Sequence, residues 1–164
     1  GSILITCPRY GRNGERYWRE RIVPPEFSGI EKRLDELNER LARLEPLKDK
    51  SRADFDEDPY LRDIVERNLE VTAQCCIDIC HRIISLKRAR KPNDYYDAIL
   101  RMSELGVLDP DFARSFAPIA GFRNILVHEY LGINWDEVFD NLQRLDALVE
   151  FAESIRLWIR GEIE

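Results

Sequence analysis

The sequence predicts an all-α, up-and-down bundle of about five helices. Apolar residues recur at steps of three and four along most of the chain, and capping residues and prolines separate these stretches by short connections. Beyond the first few residues, no stretch alternates apolar and polar residues convincingly, as a half-buried strand would. The 164 residues suffice for one domain with a buried core. These observations favour antiparallel helices around a single core.

The first helix is predicted to begin near Ser28 and to end at Pro46. Ser28 and Glu31 have the spacing of a capping box, in which each side chain accepts from an exposed backbone N–H. The apolar positions that follow form a seam with coiled-coil spacing. They are Ile30, Leu34, Leu37, Leu41 and Leu44.

The second helix is predicted to be the spine of the domain. A polar link over residues 47–58 precedes it, Asp58 can cap it, and Pro59 suits its first position because that N–H has no helical partner. About 28 residues at 1.5 Å each would make it about 40 Å long. Its apolar face comprises Leu61, Ile64, Val65, Leu69, Thr72, Cys76, Ile79 and Ile83.

Three further helices complete the predicted bundle. One runs from Tyr95 to Leu105 and ends at Gly106. The next begins at Asp109 and Pro110, can kink or break at Pro118, and continues to Gly132. The last begins with Asn134 and Glu137 and reaches residue 159. An aromatic stripe on the fourth helix is predicted to be core; it comprises Phe112, Phe116 and Phe122.

Residues 1–28 are interpreted as a short non-helical N-terminal extension, and residues 29–164 as the helical domain. Gly1 and Ser2 have the composition of a cloning remnant, residues 3–7 could form a short strand, and an arginine-rich arm or loop follows from Arg9 to Arg21. Apolar runs are too short to span a bilayer, and no leader pattern is evident. We therefore expect a cytoplasmic protein.

The net charge and the positions of the cysteines limit the classes of function that the sequence fits. A net charge of −6 disfavours attraction of nucleic acid over the whole surface, although a local cationic cleft remains compatible with it. Cys75, Cys76 and Cys80 share one predicted helix and lack metal-site spacing, while Cys7 is remote. We predict buried, reduced thiols, no metal and no cofactor.

Chemistry-bearing side chains are concentrated in the stretch AGFRNILVHEYLGINWDE, residues 120–137. On a continuous helix, Asn124 and His128 would lie about 40° apart and Arg123 and Tyr130 about 20° apart, on one half of the surface. Histidine can transfer protons near neutral pH, and a guanidinium can hold a phosphate and stabilise developing charge. This set is suited to RNA cleavage without a metal; a solvated polar helix face is the alternative.

The wider sequence resembles the HEPN superfamily, and more closely its HepT-like (DUF86) ribonuclease toxins. The resemblance is carried by FRNILVHEYLGIN, RNLEVTAQCCIDICHRIISL and YYDAILRMSELGVL, and it covers about residues 30–160. Arg123, His128 and Tyr130 fill the family pattern of Arg, four residues, His, any residue, Tyr. The resemblance implies a homodimer whose two motifs share a cleft, with Arg123 and His128 catalysing metal-independent RNA cleavage. By their own chemistry, Asn124 could position the phosphate or the imidazole, and Tyr130 could donate a hydrogen bond to the substrate.

The resemblance also implies a toxin–antitoxin system. The partner would be a nucleotidyltransferase antitoxin that adds AMP to Tyr130 and so silences the site. In the dimer, Arg114 would join the two Arg123 side chains in a cationic strip that binds RNA. Asp78 and His81 could support the site; the alternative is a helix-surface pair with a mild interaction.

Two other functions fit the same residues. The chain could be a non-catalytic subunit that docks to a nucleotidyltransferase or presents its substrate, and the acidic composition suits a protein partner. It could also be a structural bundle whose arginine and histidine order the dimer, with partners supplied by Glu129 or the opposite chain. RNA cleavage distinguishes the toxin from both.

Overall fold

The computed structural model describes residues 23–164, and this part of the chain is helical without a strand. The all-α class is therefore confirmed. The expected strand, arginine-rich segment, cloning remnant and Cys7 lie outside the described residues, and the domain boundary at residue 29 stays a prediction. The α-helices are α1 (Ser28–Leu44), α2 (Arg52–Glu57), α3 (Pro59–Leu86), α4 (Tyr95–Glu104), α5 (Pro110–Phe116), α6 (Ile119–His128), α7 (Trp135–Leu142) and α8 (Leu145–Ile163).

Helix α1 packs along α3 through the predicted seam, whose five residues are all buried. The predicted capping box is wrong. A 3-10 turn, Pro25–Phe27, leads directly into the helix, so Ser28 already has helical dihedral angles and Phe27 occupies the N-cap position without a side-chain bond. At the other end, a second 3-10 turn, Glu45–Leu47, takes over where Pro46 prevents the α-helix from continuing.

Helix α3 is the predicted spine, with 28 residues. The Asp58 carboxylate accepts hydrogen bonds from the backbone N–H groups of Tyr60 and Leu61, at 3.0 and 3.4 Å. Most of the predicted apolar face is buried, but Ile64 is 45% exposed. Since α1, α2, α4, α6 and α7 all contact α3, this helix fixes where the other elements lie.

The link before α3 contains a helix that the sequence analysis did not predict. Ser51 and Asp54 form a reciprocal capping box at the start of α2. Phe55 projects from α2 into the core, where it is fully buried and packs on Trp135 with ring centroids 5.0 Å apart. The Phe55 side chain therefore anchors this polar segment to the core of the bundle.

Two of the five predicted helices are divided. The fourth breaks between α5 and α6 at Ala117 and Pro118, the point where the sequence predicts a kink or break. The fifth breaks between α7 and α8 at Gln143 and Arg144, without a proline or glycine. There the Gln143 side chain donates to the Lys48 carbonyl at 3.0 Å, and Arg144 leaves the helical region. A tertiary hydrogen bond thus accompanies this second break.

The core predictions are confirmed for Phe116, Phe122 and the described cysteines, whereas Phe112 is only partly buried against the core. Phe116 stacks between Phe112 and Phe151, at centroid distances of 5.2 and 5.0 Å. Phe122 is buried as well. The three α3 cysteines are buried free thiols.

Burial keeps these thiols protonated, because it raises the pKa of Cys75 to about 11. Over residues 23–164, no group of three metal-binding side chains converges. None of the described helices is long and apolar enough to cross a membrane.

Candidate functional site

Helix α6 presents the motif because its two faces differ in burial. Ala120, Phe122 and Leu126 are buried, and α6 packs on α3. Asn124 and His128 are exposed on the other side. Docking of one apolar face therefore leaves a polar face available at the surface.

Arg123 is held on three sides. Its Nε donates to Gln74 Oε1 on α3 at 2.7 Å, and its Nη1 donates to the Asn124 side-chain oxygen at 3.0 Å. The guanidinium carbon lies 5.4 Å from the centroid of the Tyr95 ring, within the range of a cation–π contact. Since three contacts of different direction act on one planar group, they restrict its orientation.

Asp78 belongs to the same hydrogen-bond network, one residue removed from Arg123. Gln74 Nε2 donates to Asp78 Oδ1 at 2.7 Å, and Arg33 Nε on α1 donates to Asp78 Oδ2 at 3.4 Å. The network therefore links α1, α3 and α6. Within this network, Gln74 is the residue that bonds Arg123 directly.

His81 is connected to the site by its contact with Tyr95. Its ring contacts the Tyr95 ring edge-on, with centroids 5.6 Å apart. Its Nε2 is buried and has no hydrogen-bond partner within residues 23–164. Tyr95 thus has Arg123 over its ring and His81 in edge contact.

His128 and Tyr130 lie at the end of α6, and the prediction that Tyr130 continues the helix is wrong. The helix ends at His128, four residues before Gly132, and Glu129 has left the helical region. A turn closed by Gly132 N–H donating to Glu129 O follows, at 2.9 Å. Tyr130 is 74% exposed in this turn, so the 20° relation to Arg123 does not apply. The imidazole of His128 makes no hydrogen bond to another described residue.

The chain turns at this point because the next helix is anchored elsewhere. Trp135, the first residue of α7, is buried and donates from Nε1 to Glu66 Oε1 at 2.7 Å. Arg62 lies 5.0 Å from the indole ring centroid. A straight continuation of α6 would carry Trp135 away from these partners on α3.

Arg114 is separate from the Arg123 network. It is exposed on α5 and forms an ion pair with Asp111, three residues earlier. No contact joins it to Arg123 in the described part of the chain. Its role in binding RNA stays a prediction, one that would require a second chain.

The contacts of Gln74 and Tyr95 with Arg123 were not predicted from the sequence. The only local signal for Gln74 was a pair of polar residues, Gln74 and Asp78, four apart within the largely apolar α3. Tyr95 had no signal beyond its place at the start of α4. Both depend on how α4 and α6 pack against α3.

A cavity of about 240 Å³ lies apart from the motif, between α3 and α5 to α8. Its lining mixes apolar groups such as Phe116 and Phe122 with polar ones such as Asn141 and Arg144. Neither Arg123 nor His128 borders it. The candidate site is therefore separate from this cavity.

Comparison with known proteins identifies similar sequences. The family described as Ribonuclease HepT-like matches residues 31–155. A tRNA nuclease HepT of Aphanizomenon flos-aquae is 33% identical over 110 residues, which is 67% of this chain and 75% of that protein. An mRNA nuclease HepT of Shewanella oneidensis is 27% identical over 103 residues, 62% of this chain and 77% of that one.

Solved structures share the fold at lower identity. A tri-AMPylated Shewanella oneidensis HEPN toxin in complex with MNT antitoxin aligns with a TM-score of 0.71 and 23% identity, covering 79% of this chain and 98% of that one. YutE from Bacillus subtilis, a cytosolic protein of unknown function, aligns with a TM-score of 0.70 and 23% identity, covering 82% and 91%. At these identities the likeness supports the fold alone.

Proposed function

The chain belongs to the HepT-like ribonuclease family, and we propose that it is a metal-independent endoribonuclease toxin acting through Arg123 and His128. One observation carries the proposal: a restrained guanidinium and an exposed imidazole lie on the same helix, five residues and about 7.5 Å of helix rise apart.

The chemistry assigns a phosphate-binding role to Arg123 and a proton-transfer role to His128. The ribose 2′-oxygen loses its proton to an imidazole and attacks phosphorus, while the bond to the 5′-oxygen breaks and that oxygen gains a proton. The products are a 2′,3′-cyclic phosphate and a 5′-hydroxyl. Arg123 donates to the phosphate oxygens as charge builds on them, and Asn124 positions the same group.

A homodimer supplies what one chain lacks. Cleavage requires one group that removes a proton and another that donates one. Two imidazoles fill these two roles most simply, and each α6 carries one. Two copies of α6 facing each other would also place two Arg123 side chains in one cleft, a cationic site on a protein with a net charge of −6. Leu131, 90% exposed beside Tyr130, is an apolar group that such an interface would cover.

Tyr130 is the proposed control point, and its 74% exposure makes its hydroxyl accessible to a modifying enzyme. In an ATP-dependent reaction, the phenolate oxygen attacks the α-phosphorus and pyrophosphate leaves, so the tyrosine carries AMP. The added phosphate is anionic and lies two residues from His128, where it competes with RNA phosphate. A partner of this kind, a nucleotidyltransferase antitoxin, is supported by the MNT complex of the structurally similar HEPN toxin.

A docking subunit without activity remains the second candidate. It is supported by the same complex, since docking to a nucleotidyltransferase does not require catalysis. The nuclease names of both sequence relatives favour the enzyme. Those names differ in substrate, tRNA for one and mRNA for the other, so both RNA classes belong in the assay.

Cleavage of tRNA and mRNA in the presence of EDTA tests the proposal. Arg123→Ala and His128→Ala are each expected to lower the rate at least about 100-fold, because each removes a group that acts in the transition state. Arg160→Ala removes a surface arginine that pairs with Glu164 and is the matched control. Cleavage retained in both motif variants would contradict the proposal.

The switch is tested separately by intact mass after incubation with the cognate nucleotidyltransferase and ATP. The mass is expected to rise in whole AMP increments, and the cleavage rate is expected to fall as it rises. Position 130 cannot accept AMP in Tyr130→Phe, so neither change should arise from this position. Formation of a stable complex without cleavage or mass change would favour the docking subunit instead.

A further inference from the structure

The contacts of Arg123 determine which of its N–H groups can reach a ligand. Nε is taken by Gln74, and one hydrogen of Nη1 by Asn124. The guanidinium carbon lies over the Tyr95 ring. The N–H groups not engaged by these contacts are the two on Nη2 and one on Nη1. A phosphate is therefore expected to bind Arg123 through these η N–H groups rather than through Nε.

Gln74 suits this position because its amide is neutral. A carboxylate at hydrogen-bond distance from Nε would form an ion pair and cancel much of the charge that attracts a phosphate. An amide oxygen accepts the same hydrogen bond while the charge of Arg123 stays available. Gln74 thus orients the Arg123 guanidinium, and Arg123 itself supplies the positive charge.

Asp78 determines which way the Gln74 amide faces. Because Gln74 Nε2 donates to Asp78 Oδ1, its oxygen is directed to Arg123. The negative charge of Asp78 is in turn paired with Arg33. The carboxylate therefore acts on Arg123 through a neutral residue instead of pairing with it directly.

We infer that Gln74 is a positioning residue that orients the unengaged η N–H groups of Arg123 toward RNA phosphate without neutralising the guanidinium, with Asp78 holding the Gln74 amide in register. The inference rests on the proposed ribonuclease function, and it extends the site from α6 to the spine helix. Gln74 acts only through Arg123, so it is not itself a catalytic residue.

Gln74→Met is the first test, since methionine has a similar length and helix propensity but cannot accept the Nε hydrogen bond. We expect kcat to fall about 10- to 100-fold while KM changes by less than about threefold, because orientation matters most in the transition state. Gln143→Met is the matched control: its glutamine bonds only the Lys48 carbonyl, away from the motif, and cleavage should be unchanged.

The double variant Gln74→Glu with Asp78→Asn separates orientation from charge. The amide introduced at position 78 can donate to the carboxylate introduced at position 74, and that carboxylate can accept from Arg123. The hydrogen bonds therefore persist while the negative charge moves next to the guanidinium. We expect KM for RNA to rise and the salt dependence of binding to weaken by about 0.7 in log–log slope, the loss of one effective phosphate contact on a single strand. A purely structural role for Gln74 would leave both quantities unchanged in this variant.

An NMR measurement makes the inference independent of activity. The Arg123 Nε–H signal should be protected from solvent exchange in the unmodified chain and in the double variant, and should lose protection in Gln74→Met. Cleavage by Gln74→Met equal to that of the unmodified chain, or an Nε–H signal insensitive to this change, would overturn the inference. Absence of cleavage by the unmodified chain would overturn the proposed function, while the exchange data would still decide whether Gln74 orients Arg123.

Discussion

Replacing Trp135 with phenylalanine should destabilise the bundle at the junction that follows the motif. Trp135 is 6% exposed, its Nε1 donates to Glu66 at 2.7 Å, and its ring packs on Phe55 at 5.0 Å. Phenylalanine retains an aromatic ring at this place but has no donor. Glu66 would then lose its indole partner in a half-buried position.

The magnitude follows from two losses. A hydrogen bond to a charged group contributes about 1.5–3 kcal/mol, and leaving the acceptor unpaired forfeits that contribution. The smaller ring also loses packing area and part of its cation–π contact with Arg62, for about 1 kcal/mol more. The free energy of unfolding should therefore fall by about 3 kcal/mol, and Tm by about 6–12 °C in a domain of this size.

Urea unfolding followed by far-UV circular dichroism measures this change without relying on tryptophan fluorescence. Trp158→Phe is the matched control, because Trp158 is similarly buried and packs on Phe27 but has no hydrogen bond to a described residue. It should cost only about 1 kcal/mol. Equal costs for the two variants, within about 0.5 kcal/mol, would refute the contribution of the Glu66 hydrogen bond.

Two further changes test the ends of helices. Asp58→Ala removes the carboxylate that caps α3 and should cost about 1 kcal/mol in urea unfolding, whereas Asp58→Asn should retain most of it. The pKa of Asp97 lies below its ordinary value of 3.8, chiefly because the Asn93 backbone N–H donates to it and secondarily because Arg101 is close. Its contribution to stability is therefore present above pH 3.8 and is lost as the pH falls through the lowered pKa. Asp97→Asn should make the urea midpoint less dependent on pH in that acidic range; an unchanged dependence would show that Asp97 does not contribute.

The long helices were predictable because their signals are local. The apolar seam of α1 has one period throughout, and Asp58 with Pro59 marks the start of α3 by local capping chemistry alone. The break at Gln143 carries no such mark, since its side chain bonds the carbonyl of Lys48, which is far away in sequence. Helix α2 likewise depends on a distant partner for Phe55.

The same distinction between local signals and contacts with distant residues applies to the candidate site. That Arg123, Asn124 and His128 share one helix was predictable because they lie in one short stretch of sequence. Tyr130 was assigned to the helix because the periodicity through residue 128 gives no indication that Trp135 must reach Glu66 on another helix. Gln74 was missed because its polar spacing to Asp78 is a weak local signal, and its contact with Arg123, 49 positions away, exists only in the fold.

The length of α6 has a consequence for the dynamics of the motif. Ten residues bounded by Pro118 on one side and a turn on the other are too few to remain helical alone in water, so α6 is helical only while it is docked on α3. Each excursion of α6 away from α3 would release its backbone amides to solvent exchange and separate Arg123 from Gln74 in the same event. The exchange rate of the α6 amides therefore measures how often the motif is disassembled, an opening that can occur with α1 and α3 still folded.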